Sequence, residues 1–237
     1  MIKAVWFDLD GTLLPMEEDL FVKEYFSLLS EKLEAFGFEK KKLIATVLEG
    51  TNKMKNNNGK QTNEEVFWQH FSEVYGKEVI SFKPLLNDFY LNEFAETKKY
   101  WKENIYAPEI IKHAKEKGLK VIMASNPIFP YNAMITRLKF LGLDINDFDY
   151  TTYYENSHFA KPSTGYYQEI LDNNNLKPEE VIFFGNSEKD DCEASLKLGI
   201  KSYLVGDFLK LQTEKPNFEH ISLSEITKTI DKELKND

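Results

Sequence analysis

The sequence predicts an α/β fold built on a parallel sheet, with a helical segment inserted after the first strand. Three observations carry that reading. Short apolar runs end in small or polar residues: Ala4 to Phe7 before Asp8, Leu119 to Ala124 before Ser125, and Val181 to Phe184 before Gly185. Nearly continuous runs of this kind suit strands buried on both faces. From Pro108 onwards the runs alternate with segments of helical periodicity, the pattern of a parallel sheet with right-handed crossovers. Between Glu17 and Tyr106 there is helical spacing and no such strand.

The elements follow in order. Ile2, Ala4, Val5, Trp6 and Phe7 make the first strand, and Gly11 lets the backbone turn sharply after it. Leu20, Phe21, Tyr25, Leu28, Leu29 and Leu33 recur at helical spacing, with Gly37 as a C-cap. Leu43, Ile44, Val47 and Leu48 make a second helix, and Asn56 to Lys60 is a loop by composition. Thr62 to Glu65 offers capping side chains and early acids to a third helix through Val66, Phe67, His70, Phe71 and Val74. A fourth is expected from Leu85 to Trp101, and four helices with short connections make a small bundle. Pro108 suits the first turn of the next helix, which Gly118 ends.

Beyond the second strand, Tyr131 to Leu141 reads as helix and Tyr150 to Tyr154 as a third strand. A helix from Gly165 to Asn173, the strand Val181 to Phe184, a helix near Cys192 to Leu198 and a fifth strand, Lys201 to Val205, follow. Ser222 or Ser224 can cap a last helix. The expected organisation is a Rossmann-like α/β core of residues 1–16 and 107–237, interrupted by a helical-bundle domain of residues 17–106.

Composition narrows the function. The 237 residues suffice for one domain with a large insertion, or two small ones. The formal net charge of −9 argues against a general nucleic-acid or anionic-membrane binder. Arg137 is the single arginine, so lysines or backbone N–H groups must do the work of a guanidinium clamp on phosphate. Cys192 is the single cysteine, which rules out an intrachain disulfide and fits a reducing compartment. Asp8 and Asp10 interrupt the N-terminal apolar run, so no secretory pattern is read there. No stretch approaches the roughly 20 apolar residues of a membrane span. The expectation is a cytoplasmic protein.

The chemistry concentrates at the end of the first strand. Ligands of open α/β sheets bind outside the carboxyl ends of strands, where Asp8 and Asp10 would sit. Two close carboxylates repel each other, and a cation would relieve that repulsion. Asp8-Leu9-Asp10-Gly11-Thr12 resembles the first motif of the haloacid dehalogenase (HAD) superfamily of phosphohydrolases. The resemblance implies that Asp8 is a nucleophile that takes up a phosphoryl group. Asp10 would be the general acid/base, and Mg²⁺ would sit between them and the substrate. It also implies an HAD-like core in which the helical insertion is a cap of the C1 kind, closing over the site and supplying substrate contacts.

Three more stretches match that family in order. Ser125 takes the place of the Ser or Thr whose hydroxyl holds a phosphate oxygen, with Asn126 as its polar neighbour, and Thr12 joins them as a substrate contact. Lys161, followed by Pro162, matches the third motif, where an ammonium steadies the nucleophile and the phosphoryl group. Gly185-Asn186-Ser187-Glu188-Lys189-Asp190-Asp191 lies where the fourth belongs, but Asn186 replaces its first Asp. Asn offers Mg²⁺ a carbonyl oxygen without charge. The implied metal set is Asp8, the Asp10 backbone carbonyl, Asn186 and Asp191, with Asp190 as an alternative to Asp191.

Other positions carry blander expectations. His70, His113, His158 and His220 show no ligand-like spacing. Phe67, Trp68, Phe71, Phe89, Tyr90 and Phe94 are expected to be bundle core, and Cys192 a small buried hydrophobe. The expected activity is Mg²⁺-dependent hydrolysis of a small phosphomonoester metabolite through an aspartyl-phosphate. The rivals are a phosphomutase, a dehalogenase, which Asp10 disfavours, and a binding protein on a catalytically decayed scaffold, which Asn186 motivates.

Overall fold

The computed structural model describes residues 1–235. Its sheet has six strands, all parallel, in the order β3-β2-β1-β4-β5-β6. They are β1 (Ala4–Phe7), β2 (Lys120–Met123), β3 (Tyr150–Thr151), β4 (Val181–Gly185), β5 (Lys201–Val205) and β6 (His220–Ile221). The parallel α/β architecture is the one expected. Of the strands, β6 was not foreseen, and β3 is shorter than expected.

β1 is central and packed on both faces. Val5 and Phe7 enter one apolar cluster with α5 (Ala107–Glu116), α6 (Tyr131–Phe140) and α9 (Ile226–Lys235). Ala4 and Trp6 enter the other with α7 (Thr164–Asn174) and Ala194 of the short α8 (Ala194–Leu196). All four side chains are fully buried, which is why the run is continuous rather than alternating.

The chain passes from β1 to β2 and β3 on one side, then crosses back to β4 on the other. β1 and β4 therefore flank the switch point at which open α/β sheets bind ligands. Phe7 pairs with both Met123 and Phe184. Asp8 N donates to Phe184 O (2.9 Å) and Ala124 N to Phe7 O (2.7 Å), so the turns after all three strands emerge side by side.

Between β1 and α5 lie α1 (Glu18–Glu34), α2 (Lys40–Lys55), α3 (Asn63–Tyr75) and α4 (Lys83–Leu91). α3 opens with a reciprocal capping box between Thr62 and Glu65. The single helix expected from Leu85 to Trp101 is instead broken at Asn92, and a 3₁₀ segment, Glu93–Tyr100, continues from there. The Asn92 amide donates to the Asp88 carbonyl (3.0 Å) and carboxylate (2.8 Å), a local bond that competes with the helical backbone.

The two strands of chain joining this insertion to the sheet run antiparallel. Glu17 N donates to Tyr100 O (3.0 Å) and Lys102 N to Pro15 O (2.7 Å), with Met16 bridged to Trp101. The insertion also reaches the carboxyl end of the sheet. Asn63 Nδ2 donates to the carbonyls of Pro127 and Phe159 (both 3.0 Å), and Thr136 Oγ1 to that of Tyr90 (2.7 Å). Asn236 and Asp237, the end of the expected core span, lie outside the described residues. No helix among the described residues is long and apolar enough to cross a membrane.

Candidate active site

β1 delivers Asp8 to the carboxyl end of the sheet, and two neighbours fix its carboxylate. Thr12 Oγ1 donates to Oδ2 at 2.9 Å, and Lys161 Nζ lies 2.8 Å from Oδ1. The same ammonium reaches Asp191 Oδ1 at 2.6 Å, so Lys161 bridges two carboxylates with all three groups buried. Burial alone would lower the Lys161 pKa, but Asp191 and Asp8 outweigh it and hold the lysine well above its ordinary value. Lys161 is thus a fixed positive charge.

Asp191 comes from a wide helical turn, Glu188–Glu193, of the π type often found at functional sites. Ser187 N donates to Asp191 Oδ2 (2.9 Å), and Ser187 Oγ caps the turn by accepting from Asp190 N (3.0 Å). A side chain at Gly185 would overlap the Asp191 carboxylate, which explains the glycine before the turn. Burial pushes Asp191 up to about 6, with Lys161 pulling down and Asp8 pushing up. Between the two candidates at this turn, Asp191 has its carboxylate in the bridge with Lys161 and Asp8. Asp190 supplies its backbone carbonyl to the Tyr167 hydroxyl.

Asp10 lies two residues beyond Asp8 and is held by Arg137. Nη1 of Arg137 pairs with Asp10 Oδ2, and Nε donates to Ala133 O (3.2 Å). The guanidinium lies 4.9 Å from the centre of the Phe129 ring. Asp10 Oδ1 is buried and has no hydrogen-bond partner among the described residues. Burial raises the Asp10 pKa above its ordinary value, against Arg137 and with the help of Asp8. Sequence reasoning missed Arg137. The signal was there: a single arginine on the same helical face as Ala133, Met134 and Leu138, all of them buried.

Asn186 follows β4 and packs against the Gly11 turn. Gly11 has φ +87°, and a Cβ there would overlap the Asn186 amide. Asn186 Nδ2 donates to Phe208 O at 2.6 Å. Lys210 N donates to Asn186 O (2.9 Å), and its ammonium pairs with Glu18 at 2.6 Å. Nothing in the local sequence distinguishes Lys210 from the other lysines.

These groups open onto one cavity of about 230 Å³. Asp8, Asp10, Asn126, Lys161, Asn186 and Asp191 all line it, and Lys210 and Glu18 join them. Thr12 and Ser125 do not line it and are fully buried. Thr12, expected to touch substrate, instead orients Asp8 through its hydroxyl. The Ser125 carbonyl accepts from Thr152 Oγ1 (2.6 Å) and Tyr166 OH (2.9 Å), while its Oγ is buried without a partner among the described residues. The bundle aromatics divide. Phe89 and Phe94 are core as expected, whereas Phe67, Trp68, Phe71 and Tyr90 face the cavity as well as the core.

Solved structures share this fold. The HAD phosphatase from Thermococcus onnurineus superimposes with a TM-score of 0.60 at 16% identity, over 97% of this chain and 98% of that one. A 2-haloacid dehalogenase from Pseudomonas syringae gives 0.61 at 16%, over 98% and 99%. The HAD protein YfnB from Bacillus subtilis, described as bound to magnesium, gives 0.58 at 17%, over 97% and 99%. A search of curated proteins returns no match. The family model for haloacid dehalogenase-like hydrolases matches residues 2–199, from the first strand through the turn that carries Asp191, and the chain belongs to that family.

Proposed function

We propose that the protein is a Mg²⁺-dependent phosphatase of small phosphomonoesters that works through an aspartyl-phosphate on Asp8. The observation that carries this reading is the Lys161 bridge between Asp8 and Asp191, with a second carboxylate, Asp10, facing the same cavity. The bridge leaves Asp8 oriented and its charge partly offset for attack on an electrophile.

The donor set fits Mg²⁺. Among the described residues no three His, Cys, Asp or Glu side chains form a complete metal cage. Mg²⁺ does not need one: it is held by one or two carboxylates together with water and substrate phosphate. Asp8 and Asp191 would supply the carboxylates, and Asn186 Oδ1 and the Asp10 backbone carbonyl would supply neutral oxygens. The ion when bound would neutralise charge on the phosphoryl oxygens.

Asp8 attacks phosphorus and the ester P–O bond breaks. Asp10 gives its proton to the leaving oxygen, a role favoured by its raised pKa and by the free Oδ1. Water then attacks the aspartyl-phosphate and passes a proton to Asp10, which restores Asp8. Lys161 holds its charge throughout and stabilises the transferring group. The helical insertion acts as a cap, contributing the wall of the cavity opposite the carboxylates.

A dehalogenase would have no use for a second aspartate in the cavity, and Asp10, paired with Arg137 and lining the cavity with Asp8, supports the phosphatase reading over that one. The test is Mg²⁺-dependent phosphate release from a panel of phosphomonoesters, with Asp8→Asn folded and inactive. Chloride release from 2-chloropropionate without phosphatase activity would overturn the proposal. A phosphomutase would show itself by transferring the phosphoryl group to an added phosphosugar faster than to water. A binding protein would turn over none of the panel.

A further inference from the structure

Away from the carboxylates the cavity runs into the helical insertion, and that half is apolar. Phe21 and Leu29 of α1, Leu43 and Val47 of α2, Phe71 of α3 and Phe129 before α6 form its wall. The insertion contributes two charged side chains. Glu18 is paired with Lys210 beside the carboxylates, and Lys55 is exposed. Asn87 on α4 adds an exposed amide, and the other polar groups of this wall bond within the protein. The Tyr25 and Tyr90 hydroxyls share a hydrogen bond of 2.9 Å, Trp68 Nε1 donates to Tyr154 OH at 3.4 Å, and Thr51 Oγ1 donates to Val47 O at 2.9 Å.

Such a wall is poorly made for a sugar. Each buried hydroxyl needs a donor or acceptor in exchange for the water it leaves, and an unpaired one is penalised. Carbon needs none. A space this large is also well beyond the small voids of a packed interior, and it is continuous with Asp8. We propose that the ester taken by this site carries an apolar leaving group, an aryl ring or a medium-length alkyl chain. Its carbon skeleton lies among the helices of the insertion while the phosphoryl group sits at Asp8. This rests on the phosphatase reading above. An apolar cavity of about 150 Å³ accepts benzene. With part of its volume given to the phosphoryl group, the present one has room for about six to eight carbons.

The experiment is a chain-length series of alkyl phosphates, methyl to octyl, with phenyl phosphate, glycerol phosphate and glucose 6-phosphate alongside, all with Mg²⁺. Each methylene that enters the apolar half should raise kcat/KM about fourfold. Hexyl and phenyl phosphate should exceed glucose 6-phosphate by at least about 100-fold on the same scale. Val47→Phe and Leu43→Phe, which add bulk to the α2 wall of the cavity, should stop the rise at a shorter chain. A flat series in the unaltered protein, or a preference for the sugar phosphate, overturns the proposal whether or not those variants fold. Acetyl phosphate, which presents little to the insertion, separates the two readings. If it is hydrolysed and the series is flat, the apolar proposal fails and the phosphatase reading stands. If neither it nor any ester is hydrolysed, the phosphatase reading fails. Binding of the matching alkylphosphonates by calorimetry then decides the cavity: Kd falling with chain length supports the apolar site, and a constant Kd overturns it.

Discussion

Replacing Arg137 with Met removes a buried cation while keeping much of the side-chain volume. Arg137 is 1% exposed, and the side chain of Asp10, its partner, is 26% exposed. Removing one member of a buried ion pair costs about 3–5 kcal/mol, because the other charge stays behind unpaired. Asp10 borders the cavity and can take up a proton, so the cost should sit near the lower end, about 3 kcal/mol. Loss of the cation over Phe129 adds about 1 kcal/mol. The total of about 4 kcal/mol corresponds to a fall in Tm of about 8–16 °C for a chain of this size. Scanning calorimetry of the unaltered protein, Arg137→Met, Asp10→Asn and the double variant completes a thermodynamic cycle. The pair should show a coupling above about 1 kcal/mol, since the two groups are in direct contact. On the proposed mechanism, turnover of an ester with a poor leaving group should fall with Arg137→Met, because Asp10 loses the contact that aims it. A Tm drop under 3 °C with negligible coupling would refute the argument that Arg137 holds Asp10.

Further outcomes follow from other sites. Asp191→Ala should weaken Mg²⁺ binding in calorimetry far more than Asp190→Ala, because Asp191 alone of the two sits in the bridge with Asp8; the reverse order would move the metal site by one residue. Asn186→Asp should tighten Mg²⁺ but lower Tm, since a carboxylate cannot donate to Phe208 O and sets two acceptors 2.6 Å apart; a variant with unchanged Tm would show that bond to be immaterial. Glu155, which accepts from Tyr131 N at the start of α6, is pushed up by burial from 4.5 to about 7. A raised folded pKa means that its protonated form is favoured by folding, so that contribution is full below pH 4.5 and disappears as pH rises through 7. Glu155→Gln should therefore gain Tm relative to the unaltered protein between pH 5 and 8, and a constant difference across that range would exclude Glu155 as the titrating group.

The strands of the core were legible because burial on both faces leaves an unmistakable run. Trp6 and Phe7, like Phe183 and Phe184, can follow one another in a strand only if helices cover each side of the sheet, and they do. β6 was invisible for the opposite reason. Two residues, one an exposed histidine, have no period, and their place beside β5 is a property of the sheet edge rather than of their composition. The break at Asn92 lay between these cases. A helical period runs through it, yet the side chain bonds the turn behind it, a local competition that averaging over a window conceals.

The candidate site divides along the same physical line. Asp8, Lys161 and Asp191 were found because each falls in a stretch that resembles a motif of the family, Asp8 just after β1, Lys161 in the loop before α7 and Asp191 in the turn after β4, and the fold brings the three together. Arg137 and Lys210 act across the fold, and no spacing in the chain measures the distance between a helix face and a strand end. Thr12 shows the limit of motif reading from the other side: the residue is in the expected place, and what the fold adds is that its hydroxyl bonds the Asp8 carboxylate. Asn186 joins the two lessons. Seen along the chain it is a lost carboxylate. Seen in the fold it is a donor to the Phe208 carbonyl, packed where Gly11 leaves no room for a Cβ. The amide ties the loop that carries Phe208 and Lys210 to the turn after Asp10, so the residue that would lower the charge around a bound Mg²⁺ also anchors the segment that brings Lys210, paired with Glu18, to the edge of the same cavity. On the proposed function, one carboxylate fewer would leave more of a bound Mg²⁺ ion's charge to be met by the oxygens of the substrate.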